Sequence, residues 1–97
     1  MTDQKAPAGK RTEDEIRTGV RTIILDMAPN PDPAFGPEAS LTKDLGYHSL
    51  ALMEVAFALE DEFDLDPIDE DTARKITTVG AVQDLVVQRV AERDAAG

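Results

Sequence analysis

Apolar residues recur at helical spacing in three separate stretches of this 97-residue chain. In the first stretch, Ile16, Val20, Ile23, Ile24 and Met27 fall at i, i+4, i+7, i+8 and i+11, which places them on one face of a helix. No stretch alternates apolar and polar residues as a half-buried strand would, and no segment repeats. The pattern therefore predicts an all-α fold with three main helices.

The first helix has clear signals at both ends. Thr12 and Glu15 form a capping box at its start, and Pro29 stops it. A long connection, residues 30–46, comes next. It carries three apolar residues that we expect to pack onto the core and keep it ordered: Phe35, Leu41 and Leu45.

Three further helices are predicted in the second half of the chain. One runs from Ser49 to Phe63, and a short helix lies within residues 64–75, where Pro67 suits a first turn. Thr77 or Thr78 caps the last helix, whose apolar side comprises Val79, Val82, Leu85, Val86 and Val90. The predicted fold is a small four-helix bundle with three main helices and one short helix.

The length of the chain suits one domain with one small core. We expect this domain to span residues 12–93, preceded by a flexible lead-in at 1–11 and followed by a frayed end at 94–97. No apolar run is long enough for a signal peptide or for a membrane span. We therefore expect a cytoplasmic monomer that does not bind membranes.

The charge of the chain is strongly unbalanced, since 20 acidic and 10 basic residues give a formal net charge of -10. An acidic surface cannot replace the counterions around nucleic-acid phosphates, so nucleic acid is not an expected partner. Proteins with basic docking patches are expected instead. The absence of cysteine excludes a disulfide, a thiolate metal site and a cysteine nucleophile, so any thioester chemistry would need a thiol from outside.

The second helix carries two apolar stripes instead of one. The wider stripe should face the core and comprises Leu52, Val55, Ala56, Leu59 and Phe63. Leu50, Met53 and Phe57 lie roughly 140° away around the helix and cannot reach the same core. Acidic residues flank this second stripe, as they would at a transient docking site: Glu54, Glu60 and Asp61. The alternative is that the connection at 30–46 covers the stripe.

Ser49 begins this helix, directly after the run Asp44-Leu45-Gly46-Tyr47-His48. Its hydroxyl should be exposed, and a phosphodiester built on it would lie at the positive end of the helix dipole. A serine in such a place is most often only an N-cap. We therefore weigh two roles for Ser49, a helix cap and a point of attachment for a phosphate-linked group.

Catalytic and metal-binding roles have little support. His48 adjoins Ser49, but neighbouring residues at a helix start point in different directions, and no Gly-x-Ser-x-Gly elbow surrounds the serine. The acidic stretch from Asp64 to Asp71 lacks the glycine and the glutamate that a calcium loop needs at its sixth and twelfth positions. We predict no catalytic residue and no metal ligand.

The run from Asp44 to Leu50 resembles the attachment motif of the acyl carrier protein family, and the similarity continues without a gap to Phe63. Lys75-Ile76-Thr77-Thr78-Val79-Gly80 is similar to the junction into the last helix of that family. The resemblance covers residues 12–92. It implies a carrier-protein bundle that bears a 4′-phosphopantetheine arm, taken from coenzyme A, on Ser49.

The resemblance also implies how such a protein works. The terminal thiol of the arm would hold an acyl group as a thioester, so the protein itself would be no enzyme. Its partners would be a phosphopantetheinyl transferase and acyl-transferring or condensing enzymes of polyketide or fatty-acyl pathways. The implied partner-docking residues are Asp44, His48, Leu50, Met53, Glu54, Phe57, Glu60 and Asp61.

His48 departs from the family pattern, in which aspartate most often precedes the serine. A histidine here looks more like the peptidyl carrier domains of nonribosomal synthetases, although Tyr47 is not the glycine of their pattern. A histidine in place of the aspartate also removes one negative charge from the docking surface. Two alternatives stay open: a free-standing peptidyl or aminoacyl carrier, and an acidic helical interaction module that is never modified.

Overall fold

Four α-helices make up the computed structural model, which describes residues 12–31 and 34–96. In chain order they are α1 (Glu13–Met27), α2 (Ser49–Phe63), α3 (Glu70–Lys75) and α4 (Val79–Ala96). No strand occurs in these residues, only one isolated antiparallel bridge between Ser40 and Thr78. The prediction of an all-α, four-helix bundle is confirmed.

Side-chain caps fix the starts of α1 and α4. The hydroxyl of Thr12 accepts the Glu15 N–H at 3.1 Å, and the Glu15 carboxylate accepts the Thr12 N–H at 2.9 Å, which completes the predicted capping box. At the start of α4, the Thr78 hydroxyl accepts the Ala81 N–H at 3.2 Å. This last helix continues through residues 94–96, beyond the end that the sequence indicates. The predicted lead-in at 1–11 and Gly97 lie outside the described residues.

The short helix begins later than the sequence indicates. Pro67 does not lie in its first turn, because α3 starts at Glu70 and Asp69 is its N-cap. The Asp69 carboxylate accepts the Thr72 N–H at 2.9 Å, and hydrogen bonds from the Thr72 side chain and backbone lower the pKa of Asp69. Pro67 is compatible with a helix start but does not require one, and the carboxylate of Asp69 supplies the cap two residues later.

The core lies between α1, α2 and α4. α1 packs against both of the other two helices, and α3 packs against α2. The largest fully buried side chains are Val20, Ile24, Leu41, Leu45, Leu59, Val79, Val82 and Val86. No helix within the described ranges is long and apolar enough to cross a membrane.

The described part of the connection at 30–46 is fastened to this core. Phe35, Leu41 and Leu45 are all buried, as the sequence predicts. The backbone also pairs with the start of α4, since the Leu41 N–H donates to the Thr77 carbonyl at 3.0 Å and the Val79 N–H donates to the Ala39 carbonyl at 3.1 Å. The connection therefore brings the residues before Ser49 to a fixed place.

Candidate functional site

Tyr47 anchors the segment that leads into α2. Its side chain is buried, and its hydroxyl donates to the carbonyl oxygen of Ile24 at 2.6 Å. That carbonyl lies in the last turn of α1 and lacks its usual helical partner, because the Ala28 N–H donates to the Leu25 carbonyl instead. The phenol thus satisfies an orphan carbonyl and ties the start of α2 to the end of α1.

Gly46 makes the turn that lets this segment pass the end of α1. Its φ is +75°, a conformation that residues with a Cβ rarely adopt. A Cβ at this position would also lie 3.2 Å from the Cβ of Asn30, whose N–H donates to the Leu45 carbonyl at 3.0 Å. The glycine of the sequence motif is therefore a requirement of the backbone.

We expect Tyr47→Phe to lower the free energy of unfolding by ~1–3 kcal/mol near neutral pH, because it leaves the Ile24 carbonyl unsatisfied. Burial raises the pKa of the Tyr47 phenol from 10.0 to about 12. The stabilisation from Tyr47 should therefore be complete below pH 10 and be lost as the pH rises towards 12. Urea unfolding of both proteins across this range provides the test. A difference that stays constant up to pH 12 would contradict it.

His48, and not Ser49, is the N-cap of α2. Its backbone is extended, with φ -106° and ψ 176°, and its Nδ1 accepts the Ala51 N–H at 3.4 Å. Ser49 is the first residue of the helix itself. The interpretation of Ser49 as a cap is therefore wrong, because a histidine nitrogen takes the place of the usual hydroxyl or carboxylate oxygen.

The two serines of the chain differ in what their hydroxyls do. The Ser40 hydroxyl accepts the Lys43 N–H at 3.1 Å and lies 3.4 Å from the Thr42 hydroxyl, within a tight turn. Ser49 is exposed, and its hydroxyl has no hydrogen-bond partner in the described chain. Of the two, only Ser49 offers an unengaged nucleophilic oxygen at the surface.

The first turn of α2 suits a phosphodiester on Ser49. This turn contains no acidic residue. The N–H groups of Ser49 and Leu50 have no partner among the described residues, because the Ala51 and Leu52 N–H groups are the first to be bonded. Unpaired N–H groups at the positive end of a helix dipole attract an anion.

The second apolar stripe of α2 faces solvent. Leu50, Met53 and Phe57 are 65%, 47% and 59% exposed, and they are the large hydrophobic residues that the described chain leaves uncovered. The alternative that the connection at 30–46 covers them is wrong, because their side chains are exposed and the described part of that connection packs on the core instead. Glu54 and Asp61 are exposed beside the stripe.

Two other acidic residues of the predicted docking set have structural partners. The Glu60 carboxylate accepts the Ile68 N–H at 2.7 Å and so holds the segment between α2 and α3. The Asp44 carboxylate accepts the Ser40 N–H at 2.7 Å and closes the turn ahead of Gly46. The sequence does not predict these hydrogen bonds, because each one joins residues across a turn whose conformation the sequence does not determine.

A small apolar cleft opens on the side of α2 that faces α3. Its walls include Leu52, Val55 and Ala56 from α2, Ala73 from α3, and the flanking Ile68 and Ile76. Sequence patterning indicates only that such residues turn inwards, so the cleft is a feature that the sequence does not predict. No group of His, Cys, Asp or Glu suited to a metal ion occurs in the part of the chain that the structure describes.

Comparisons with known proteins agree with this geometry. The family model described as a phosphopantetheine attachment site matches residues 18–86. The chain is 36% identical over 75 residues to an acyl carrier protein of Picosynechococcus sp., a match that covers 77% of this chain and 91% of that protein.

A solved structure is also similar. It is the solution structure of a hexanoyl acyl carrier protein from the actinorhodin polyketide synthase of Streptomyces coelicolor, with a TM-score of 0.60 and 28% identity over 84% of this chain and 92% of that one. The matched sequence, the matched fold and the family model agree. The chain belongs to the acyl carrier protein family, whose members are carriers that bear a covalent 4′-phosphopantetheine.

Proposed function

We propose that Ser49 bears the phosphopantetheine arm and that the chain presents acyl groups to enzymes of a polyketide or fatty-acyl pathway. The observation that supports the site is the contrast between the two serines: Ser49 has an exposed, unengaged hydroxyl, whereas the Ser40 hydroxyl is held in a turn. In the attachment step, Ser49 Oγ bonds to the phosphorus next to the pantetheine of coenzyme A. The phosphoanhydride bond breaks, adenosine 3′,5′-bisphosphate leaves, and the transferase accepts the serine proton.

The thiol that the arm supplies would hold the acyl group as a thioester. The chain would contribute to this function in two ways. It would fix the position of the arm, and its backbone N–H groups would offset the negative charge of the phosphodiester. Tyr47 and Gly46 fix the path of the backbone into Ser49, and the unpaired N–H groups of Ser49 and Leu50 would be available to a phosphodiester on Ser49. Buried Val55 and Leu59 hold α2 on the core, so the attachment point lies at the end of a rigid element.

The docking face of this carrier is the exposed stripe Leu50, Met53 and Phe57 together with Glu54 and Asp61. An apolar strip bordered by like charges suits transient binding, because burial supplies affinity while charge steers approach. We assign Asp44, His48 and Glu60 to the rim of this face, as the resemblance implies. Since Asp44 and Glu60 also bond within the chain, the two residues best placed to act through charge alone are Glu54 and Asp61.

We expect the double variant Glu54→Lys/Asp61→Lys to slow acyl transfer to and from partner enzymes. The effect should be largest at low salt, because the screening length falls from ~30 Å at 0.01 M to ~8 Å at 0.15 M ionic strength. Transfer rates measured across this range of salt provide the test. The matched control is Asp26→Lys/Glu92→Lys, which changes the net charge equally at exposed positions of α1 and α4. Equal slowing by both double variants would show that net charge matters and the docking face does not.

The cleft beside α2 is compatible with an acyl cargo. Its walls are apolar, so an alkyl chain would be favoured there and a charged amino group would not. The cavity is about 20 Å³, room for a water molecule, so an alkyl chain would have to widen it by moving α3.

His48 favours the second candidate, a peptidyl or aminoacyl carrier. Loading by an acyltransferase supports the first candidate, and loading by an ATP-dependent adenylating enzyme supports the second.

Intact mass spectrometry tests whether the chain is a carrier at all. After incubation with coenzyme A and a permissive phosphopantetheinyl transferase, the mass should rise by one phosphopantetheine group per chain. Omission of the transferase provides the control. An unchanged mass under conditions that fully load another acyl carrier protein would overturn the proposal in favour of an unmodified helical interaction module.

A further inference from the structure

We propose that the Glu60 carboxylate is a latch that holds a lid, residues 66–76 including α3, closed over the apolar cleft. This carboxylate accepts the Ile68 N–H at 2.7 Å, and Ile68 itself lines the cleft. When the hydrogen bond breaks, the lid can lift and the cleft can widen. The use of the widened cleft by an alkyl chain rests on the proposed function, whereas the latch does not.

The lid is fastened to the rest of the chain at both ends. Before its start, Arg93 of α4 donates to the carbonyl oxygen of Asp64 at 3.3 Å, and the backbone of Asp64 ends α2 with φ +55°. After its end, the Thr77 carbonyl accepts the Leu41 N–H at 3.0 Å. These two points bound the part of the chain that can lift while α2 and α4 stay in place.

Between these two points the lid has few attachments. α3 contains no buried residue, and the only other helix of the described chain that it contacts is α2. Among the described residues, only the bond between Ile68 and Glu60 joins the lid to the rest of the chain by hydrogen bonding. Asp69 is attracted by the charge of Arg89 on α4, but Asp69 is exposed and water screens this attraction.

Apolar packing beneath the lid is incomplete. Ile68, Ala73 and Ile76 face the walls of α2 around a cavity of about 20 Å³. Side chains that border a void lose the contacts that full packing would give them. The hydrogen bond to Glu60 therefore carries a large share of what keeps the lid closed.

Two variants of Glu60 separate the hydrogen bond from the charge. Glu60 follows Met53 of the exposed stripe by seven residues and Ala56 of the cleft wall by four, so all three share one side of α2. Loss of its charge therefore affects the docking face as well as the lid. Glu60→Gln removes the charge but keeps an oxygen that can accept the Ile68 N–H, whereas Glu60→Ala removes both.

Nuclear magnetic resonance of the unloaded full chain tests the latch. The Ile68 N–H should exchange with water roughly tenfold faster in Glu60→Ala than in Glu60→Gln, the factor expected for loss of one such bond. A neutral gadolinium chelate in solution should also relax the methyl groups of Val55 and Ala56 more strongly in Glu60→Ala, because these buried walls become accessible when the lid lifts. The methyl groups of Val20, in the core on α1, should be unchanged.

Equal exposure of Val55 and Ala56 in the two variants would overturn the latch. An increase that extends to Val20 would also overturn it, because the whole fold would then have loosened. Loading of the wild type from octanoyl-coenzyme A by a permissive transferase tests the proposed function separately. Failure to load would overturn the attachment at Ser49, while the result on the unloaded chain would still decide the latch.

Discussion

Ser49→Ala should gain no mass from coenzyme A and a phosphopantetheinyl transferase, however long the incubation. The variant lacks the oxygen to which phosphorus bonds, and the other serine, Ser40, has its hydroxyl engaged in a turn. The loss should come with little change in stability, within ~0.5 kcal/mol, because Ser49 is an exposed residue that caps nothing. Intact mass and helical circular dichroism measure the two effects separately.

Ser40→Ala provides the matched control for this result. It removes the hydroxyl that accepts the Lys43 N–H, so it should cost stability, ~0.5–1.5 kcal/mol for one such bond. It should nevertheless gain one phosphopantetheine group at a rate close to that of the wild type. Loading that persists in Ser49→Ala but disappears in Ser40→Ala would assign the two serines the opposite way.

Leu59→Ala should lower the free energy of unfolding by ~2–5 kcal/mol, because its side chain is 1% exposed in the core between the helices. For a chain of this length, the smaller figure already corresponds to a fall in unfolding temperature of ~8 °C. Met53→Ala, on the same helix, should change stability by no more than ~0.5 kcal/mol, since Met53 is 47% exposed. Thermal unfolding of the two variants measures this contrast.

Met53→Ala should instead weaken partner docking, because it removes apolar surface from the exposed stripe. A binding or transfer assay with a partner enzyme shows this effect, and Leu59→Ala is unsuitable for it since the fold itself is compromised. If Met53→Ala destabilises the fold as much as Leu59→Ala does, the stripe belongs to the core and the docking face has been assigned to the wrong side of α2.

The sequence predicts the fold well where the signals are local. The capping box at Thr12 and Glu15, the limits of α2 and the burial of Phe35, Leu41 and Leu45 all follow from spacing and side-chain chemistry. α3 is placed less well because Pro67 is compatible with a helix start without requiring one. Asp69 sets the start of α3, because its carboxylate accepts the Thr72 N–H and so caps the helix.

The candidate site likewise has features that the sequence predicts and features that it does not. The exposed stripe follows from helical periodicity, since a second apolar face cannot turn to the same core. Ser49 is indicated by its place at the start of α2 and by the family motif, and its modification stays a prediction. The sequence does not predict the cap by His48, because a histidine is an uncommon cap and its tautomer depends on the bond that it makes. The hydrogen bonds of Asp44 and Glu60 depend on the conformation of the turns that they span. The cleft depends on the position of α3 against α2.

Peptide mapping of the loaded wild-type chain tests the central claim most directly. Trypsin cleaves after Arg21, Lys43 and Arg74, so Ser40 lies in the fragment 22–43 and Ser49 in the fragment 44–74. We expect one phosphopantetheine group per chain, found on the fragment 44–74 and localised to Ser49 by fragmentation. A group on the fragment 22–43, or on any residue of 44–74 other than Ser49, would contradict the account.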